Sequence, residues 1–138
     1  MYYGKKFSDI EVGDKAQVSK TITEFDVYAF AGITGDLNPV HIDEEACKKT
    51  KFQKRIAHGA LSNGLISATL SMHLPGPGSI YLSQNSKFIK PVYFGDTLTA
   101  IVEVKEKIET KGRLIMKTIV MNQNNDIVLD GEAIVMKE

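Results

Sequence analysis

The run from Gly59 to Met72 carries no charged residue and is apolar almost all round, with Leu61, Leu65, Ile66, Ala68, Leu70 and Met72. A helix with no polar face in a water-soluble chain belongs in the middle of the fold. Leu74-Pro75-Gly76-Pro77-Gly78 stops it, because proline cannot continue a helix and glycine lets the backbone turn. Downstream the pattern changes to period two. Ser79 to Lys90, Thr97 to Glu109, Arg113 to Gln123 and a last segment through Met136 read as strands. They are separated by turns at Pro91–Asp96, Lys111-Gly112 and Asn124–Asp126. In Leu98–Lys105 the alternation is clear only at the C-terminal end, where the sheet is expected to reach solvent. One buried helix followed by strands joined through short turns predicts an α+β fold, an antiparallel sheet wrapped around that helix.

Upstream, Gly13-Asp14 marks a turn in an opening loop, and Ala16 to Ile22 reads as a first strand. Thr23 is the expected N-cap of the next helix, with Asp26 three residues on as an imperfect capping box. Phe25, Tyr28, Ala29 and Gly32 fall on one face of that helix. Asp43 is expected to cap a short helix running to about Lys49.

At 138 residues the chain, 1–138, is read as a single domain with an ordinary globular balance of 43% hydrophobic and 25% charged residues. Zero formal net charge, scattered basic residues and the absence of tryptophan argue against a nucleic-acid partner. No apolar stretch is long enough to span a bilayer, so no membrane partner is expected. Met1 to Phe7 lacks the apolar run of a signal peptide, and a cytoplasmic location is expected. Cys47 is the single cysteine and sits in a charged helical stretch, where a packing role is expected. His41, His58 and His73 show none of the close spacings of zinc sites, so no metal is expected.

The chemistry concentrates in Gly35-Asp36-Leu37-Asn38-Pro39-Val40-His41. A continuous helix would set Asp36 and His41 about 140° apart. Pro39 disfavours such a helix, and Gly35 permits a sharp turn just before Asp36. The chain can therefore aim a carboxylate and an imidazole at one water molecule and move its protons. The same residues also make ordinary turn chemistry. A second segment adds weight: the central helix begins directly after His58, and the free N–H groups of its first turn suit a developing oxyanion.

These residues resemble the MaoC-like, R-specific enoyl-CoA hydratases of the hotdog fold. The resemblance covers nearly the whole chain. It rests on Tyr28 to Asp43, which follows the hydratase motif almost position for position, on Ala57-His58-Gly59 opening the central helix, and on Pro91–Asp96 between strands. It implies that Asp36 and His41 form a catalytic dyad holding water against C3 of a trans-2-enoyl thioester. The Gly59 N–H would bind the thioester oxygen as charge builds on it. Asn38 would brace the loop, and Ser67 would bond either toward the dyad or back to its own helix. His58 is expected to cap the helix and His73 to sit in solvent near its end. Lys87 and Lys90 are candidates for a CoA phosphate, against the plainer reading as solvated surface charges.

The resemblance implies reversible hydration of an acyl-CoA with no cofactor, and a homodimer or higher homo-oligomer with the thioester along the subunit boundary. Thr97–Val104 and the strand ending at Met136 are the expected dimer edges. The rival enzymatic readings are a dehydratase acting on acyl carrier protein and a hotdog thioesterase. A non-catalytic acyl-CoA-binding module is the rival from another class, and an intact Asp36 and His41 argue against it.

Overall fold

The computed structural model describes residues 4–138; Met1 to Tyr3, part of the N-terminal stretch considered above, lie outside them. Five strands form one antiparallel sheet: β1 (Lys15–Thr21), β2 (Ile80–Phe88), β3 (Thr97–Ile108), β4 (Arg113–Met121) and β5 (Ile127–Met136). Four α-helices accompany them among the described residues: α1 (Glu24–Thr34), α2 (Pro39–Ile42), α3 (Glu44–Cys47) and α4 (Gly59–Met72). The expected α+β class and the boundaries of the central helix agree with this architecture.

The spatial order of strands is β1-β3-β4-β5-β2. β3 and β5 are therefore interior strands, paired on both sides, which corrects the expectation that they supply free edges. The edges are β1 and β2. Sequence alone hides this because β2 is joined through a long connection and returns beside β5 rather than beside β3.

The core lies between the sheet and α4. Leu98, Ala100, Val102 and Val104 point inward from β3, alternating with less buried Thr97, Thr99, Ile101 and Glu103. The alternation thus runs along the first eight residues of β3, not only at its C-terminal end. Threonine and isoleucine at the outward positions blur it in the sequence. From α4 the buried residues are Ser62, Leu65, Ile66, Thr69 and Leu70. The opposite side of α4 (Ala60, Gly64, Ala68, Met72) is exposed, because a single sheet covers one face of a helix.

Helix α1 departs from its expected packing. Its buried residues are Val27 and Ala31, whereas Phe25 is 78% exposed and the Tyr28 ring reaches outward to Arg55. Spacing identified an apolar stripe but selected the aromatic one, and the smaller pair is buried instead, Val27 joining the core cluster. The Thr23 cap is as expected, with the reciprocal capping box complete: Thr23 Oγ1 accepts from Asp26 N–H, and Asp26 accepts from Thr23 N–H.

Candidate active site

Helix α1 ends because Gly35 adopts a left-handed conformation, φ 80°, and closes the last turn onto Ala31. The next residue, Asp36, is anchored by its own N–H to Thr34 Oγ1 at 3.1 Å. Its Oδ1 accepts from Asn38 N–H at 3.2 Å, an Asx turn that fixes the carboxylate while leaving the side chain 50% exposed. Asn38 repeats the device one step on: its Oδ1 accepts from Val40 N–H at 3.3 Å and caps α2, with Pro39 in the first helical position. This short helix turns His41 inward, so the residue is only 8% exposed.

His41 Nδ1 lies 2.7 Å from the Ile56 carbonyl oxygen. A carbonyl only accepts, so Nδ1 carries the proton and Nε2 of the neutral ring keeps a free lone pair. His58 stacks on His41, with ring centroids 3.7 Å apart and planes at 29°, and Phe30 packs on His58 at 4.7 Å. His58 Nε2 donates to the Asp36 carbonyl oxygen at 3.0 Å and lies 4.0 Å from Asp36 Oδ2. Its side chain makes no capping bond to α4, which corrects the expected capping role. His58 instead tethers the Asp36 loop, and its Nδ1 is buried without a partner. The tether joins residues 22 positions apart in sequence, so no local pattern announces it.

Gly59, the first residue of α4, presents an N–H with no acceptor among the described residues, at the positive end of a 14-residue helix. A Cβ here would lie 2.7 Å from the ring of the exposed Phe88, so glycine lets that ring rest against the helix start without moving aside. Beside it is a cavity of about 490 Å³ lined by Phe52, Ile56, Gly59, Ser62, Phe88 and Val92, with the exposed Lys51 and Lys90 also in its wall. Asp36, His41 and His58 do not line it. Gly59 and Ala60, in the first turn of the helix that His58 precedes, belong to both the cavity wall and the helix start.

Asp36, His41 and His58 each offer a donor atom within 4.8 Å of the others. His41 Nδ1 is committed to the Ile56 carbonyl and His58 Nε2 to the Asp36 carbonyl, each as a donor. That arrangement suits a hydrogen-bonded water better than a shared ion.

Of the remaining candidates, Ser67 lies eight residues beyond Gly59, about 12 Å further along the helix axis. Its hydroxyl has no hydrogen-bond partner among the described residues, neither toward the dyad nor back along α4, and its carbonyl accepts from Ser71. Ser62, which the sequence reading passed over, is the buried hydroxyl nearest the helix start and lines the cavity. His73 is exposed at the C-cap of α4, Lys87 is exposed, and Lys90 pairs with Asp126 at 3.1 Å. Cys47 is buried, its thiol directed at the Pro39 and Val40 carbonyls at 3.5 and 3.3 Å. Burial, reinforced by the negative charges of Glu44 and Asp43, pushes that thiol's pKa up and away from nucleophilic duty.

Comparison with known proteins meets this geometry. The family described as MaoC like domain matches residues 8–125. An (R)-specific enoyl-CoA hydratase of Rhodospirillum rubrum is 46% identical over 130 residues, covering 94% of this chain and 90% of its own. A 3-hydroxybutyryl-CoA dehydratase of Methylorubrum extorquens is 45% identical over 129 residues, covering 94% of this chain and 82% of its own. Among solved structures, an unliganded R-hydratase from Pseudomonas aeruginosa superposes with a TM-score of 0.91 at 47% identity, covering 96% of this chain and 84% of that one. The five-stranded antiparallel sheet packed on α4 is the hotdog fold of those hydratases, and the chain belongs to the MaoC-like family.

Proposed function

We propose that this protein is an R-specific enoyl-CoA hydratase, a hydro-lyase that reversibly adds water to a trans-2-enoyl-CoA to give the (R)-3-hydroxyacyl-CoA. The observation that carries the assignment of the site is the orientation of His41. Its Nδ1–H is held by the Ile56 carbonyl, so Nε2 is available to accept a proton from water. Asp36 supplies a carboxylate oxygen on the neighbouring loop, reached by solvent on one side.

In the reaction, water lies between the Asp36 carboxylate and His41 Nε2. One water O–H bond breaks and the oxygen bonds to C3 as the C2=C3 π bond opens; its electron pair, held on the thioester oxygen as an enolate-like charge, returns to C2 and takes the proton that passes through the dyad. The steps are assigned to the two groups together rather than to either residue. Negative charge that builds on the thioester oxygen is met by the Gly59 N–H at the start of α4. The apolar cavity beside Gly59 supports this reading, since an extended thioester needs a cleft adjoining that N–H. The reaction needs no redox or group-transfer chemistry, so the side chains named suffice. The 3-hydroxybutyryl-CoA dehydratase similarity fits the same site working in the opposite direction.

The working unit is a homodimer formed across β2. This strand is an edge of the sheet and exposes Ile80 and Leu82, an unprotected apolar border that a twofold partner would cover. Light scattering should return at least twice the 15.3 kDa chain mass, and an active monomer would contradict it.

Crotonyl-CoA tests the reaction. Loss of the conjugated enoyl absorbance is expected, with no NADH formed when an S-specific 3-hydroxyacyl-CoA dehydrogenase is coupled to the product. Rapid NADH formation would overturn the R assignment. A parallel arm with crotonyl-acyl carrier protein decides the carrier, slower turnover there being the expected result.

A further inference from the structure

Arg55 is only 16% exposed at its side chain, and its guanidinium gathers partners from three separate segments. Its Nε donates to Glu44 Oε2 at 2.6 Å, at the start of α3. Its Nη1 donates to Glu24 Oε1 at 2.7 Å and to Tyr28 Oη at 2.5 Å, both on α1. The planar group also lies over the Phe94 ring, 4.7 Å from its centroid. Helix α1 leads directly into Asp36, and α3 follows directly on the helix that carries His41.

The residue after Arg55 closes the connection. Ile56 N–H donates to the Val40 carbonyl at 3.0 Å, and the Ile56 carbonyl receives His41 Nδ1–H at 2.7 Å. Ala57 N–H donates to the Val92 carbonyl at 2.8 Å, fastening the same stretch to the turn that precedes Phe94. We infer that Arg55 is a positioning residue for the hydration reaction: it clamps α1 and α3 onto residues 55–57, so that the Ile56 carbonyl holds His41 in one tautomer and one orientation. This rests on the assignment of Asp36 and His41 as the dyad.

A lysine cannot replace the clamp. Its single ammonium has no fork with which to serve Glu44 and Glu24 from separate nitrogens while staying over the Phe94 ring. Hydrogen bonding and charge attraction from Arg55 hold the Glu24 carboxyl below its usual range, while the Glu24 hydrogen bond, opposed by burial, leaves the Arg55 guanidinium above its own.

The test is Arg55→Lys, with Glu44→Gln as a gentler second variant that removes one partner's charge while keeping an acceptor oxygen for Arg55 Nε. Displacing a catalytic group by about 1 Å can cost up to about 100-fold. We expect R55K to lower kcat roughly 10-fold, with KM for crotonyl-CoA changed less than about twofold, and E44Q to show a smaller loss of the same kind. In a His41→Ala background the R55K effect on the residual rate should fall to less than about twofold. Imidazole ¹⁵N NMR of the folded variants should show His41 losing its single Nδ1–H tautomer. An unchanged kcat in folded R55K and E44Q, an undiminished loss in the H41A background, or an unaltered His41 imidazole would each overturn the inference. An H41A enzyme with full turnover would instead sink the dyad itself, whatever the NMR of R55K showed.

Discussion

Residues 35–43 and residues 55–59 face each other across the site and are built in opposite ways. The first segment is shaped almost entirely by its own sequence. Asp36, Asn38 and Asp43 each use a side-chain oxygen to cap a backbone N–H two or three residues ahead. The second segment has few partners of its own. Ile56 reaches back to Val40, Ala57 forward to Val92, His58 to Asp36, and Arg55 to Glu24, Tyr28 and Glu44. The contrast separates two jobs. A string of Asx caps gives the Asp36–His41 loop its curvature, while long-range bonds decide where in space that curvature sits. A loop that is half-exposed at Asp36 can thus carry chemistry because a more buried segment fixes it from the opposite side.

The largest effect that would sharpen this comparison is on His41, the residue at which the two segments meet. His41→Ala should lower kcat by on the order of 10²–10⁴ while the protein remains folded, read by steady-state hydration kinetics beside circular dichroism. A second contrast is between core and loop. Leu70 is buried under the sheet, and Leu70→Ala should cost about 2–5 kcal/mol, lowering Tm by on the order of 10 °C. Leu37, exposed within the dyad loop, should lose less than about 0.5 kcal/mol on the same truncation. Equal losses in thermal melts would mean that the loop is part of the core after all.

The smallest effect concerns pH. The Glu24 carboxyl is held below its usual pKa by its hydrogen bond and attraction to Arg55. A carboxylate whose folded pKa is depressed adds stability that is fully present above its unfolded value and fades as pH falls through the folded one. Wild type and Glu24→Gln should therefore differ in Tm near pH 7, and the gap should narrow below about pH 4. Because Glu24 is exposed, the gap should also shrink in high salt. A gap that widens in acid would reverse the sign of the argument.

What was legible in the sequence follows the same division. Gly35, Asp36, Asn38, Pro39 and His41 act on neighbours within a few positions, so their spacing reported the turn, the caps and the inward histidine. The limits of α4 were equally plain, since a charge-free run meets Leu74-Pro75-Gly76. Long-range pairings were not. Nothing near His58 says that its Nε2 serves a carbonyl 22 residues earlier, and nothing near Arg55 names Glu24 and Glu44 as its partners. The buried face of α1 went to Val27 and Ala31 because tertiary packing, not the helix's own spacing, sets which stripe is covered. Strand order escaped for the same reason: hydrophobic alternation marks strands but does not say that β2 lies beside β5.

The central claim is that Asp36 and His41 share one water against an enoyl thioester. Its most direct test is the hydration of crotonyl-CoA by purified, folded Asp36→Asn, which keeps the shape of the side chain and the acceptor for Asn38 N–H but removes the charge. The account predicts a fall in kcat of on the order of 10²–10⁴ with Tm nearly unchanged. Turnover within a few-fold of wild type would contradict it.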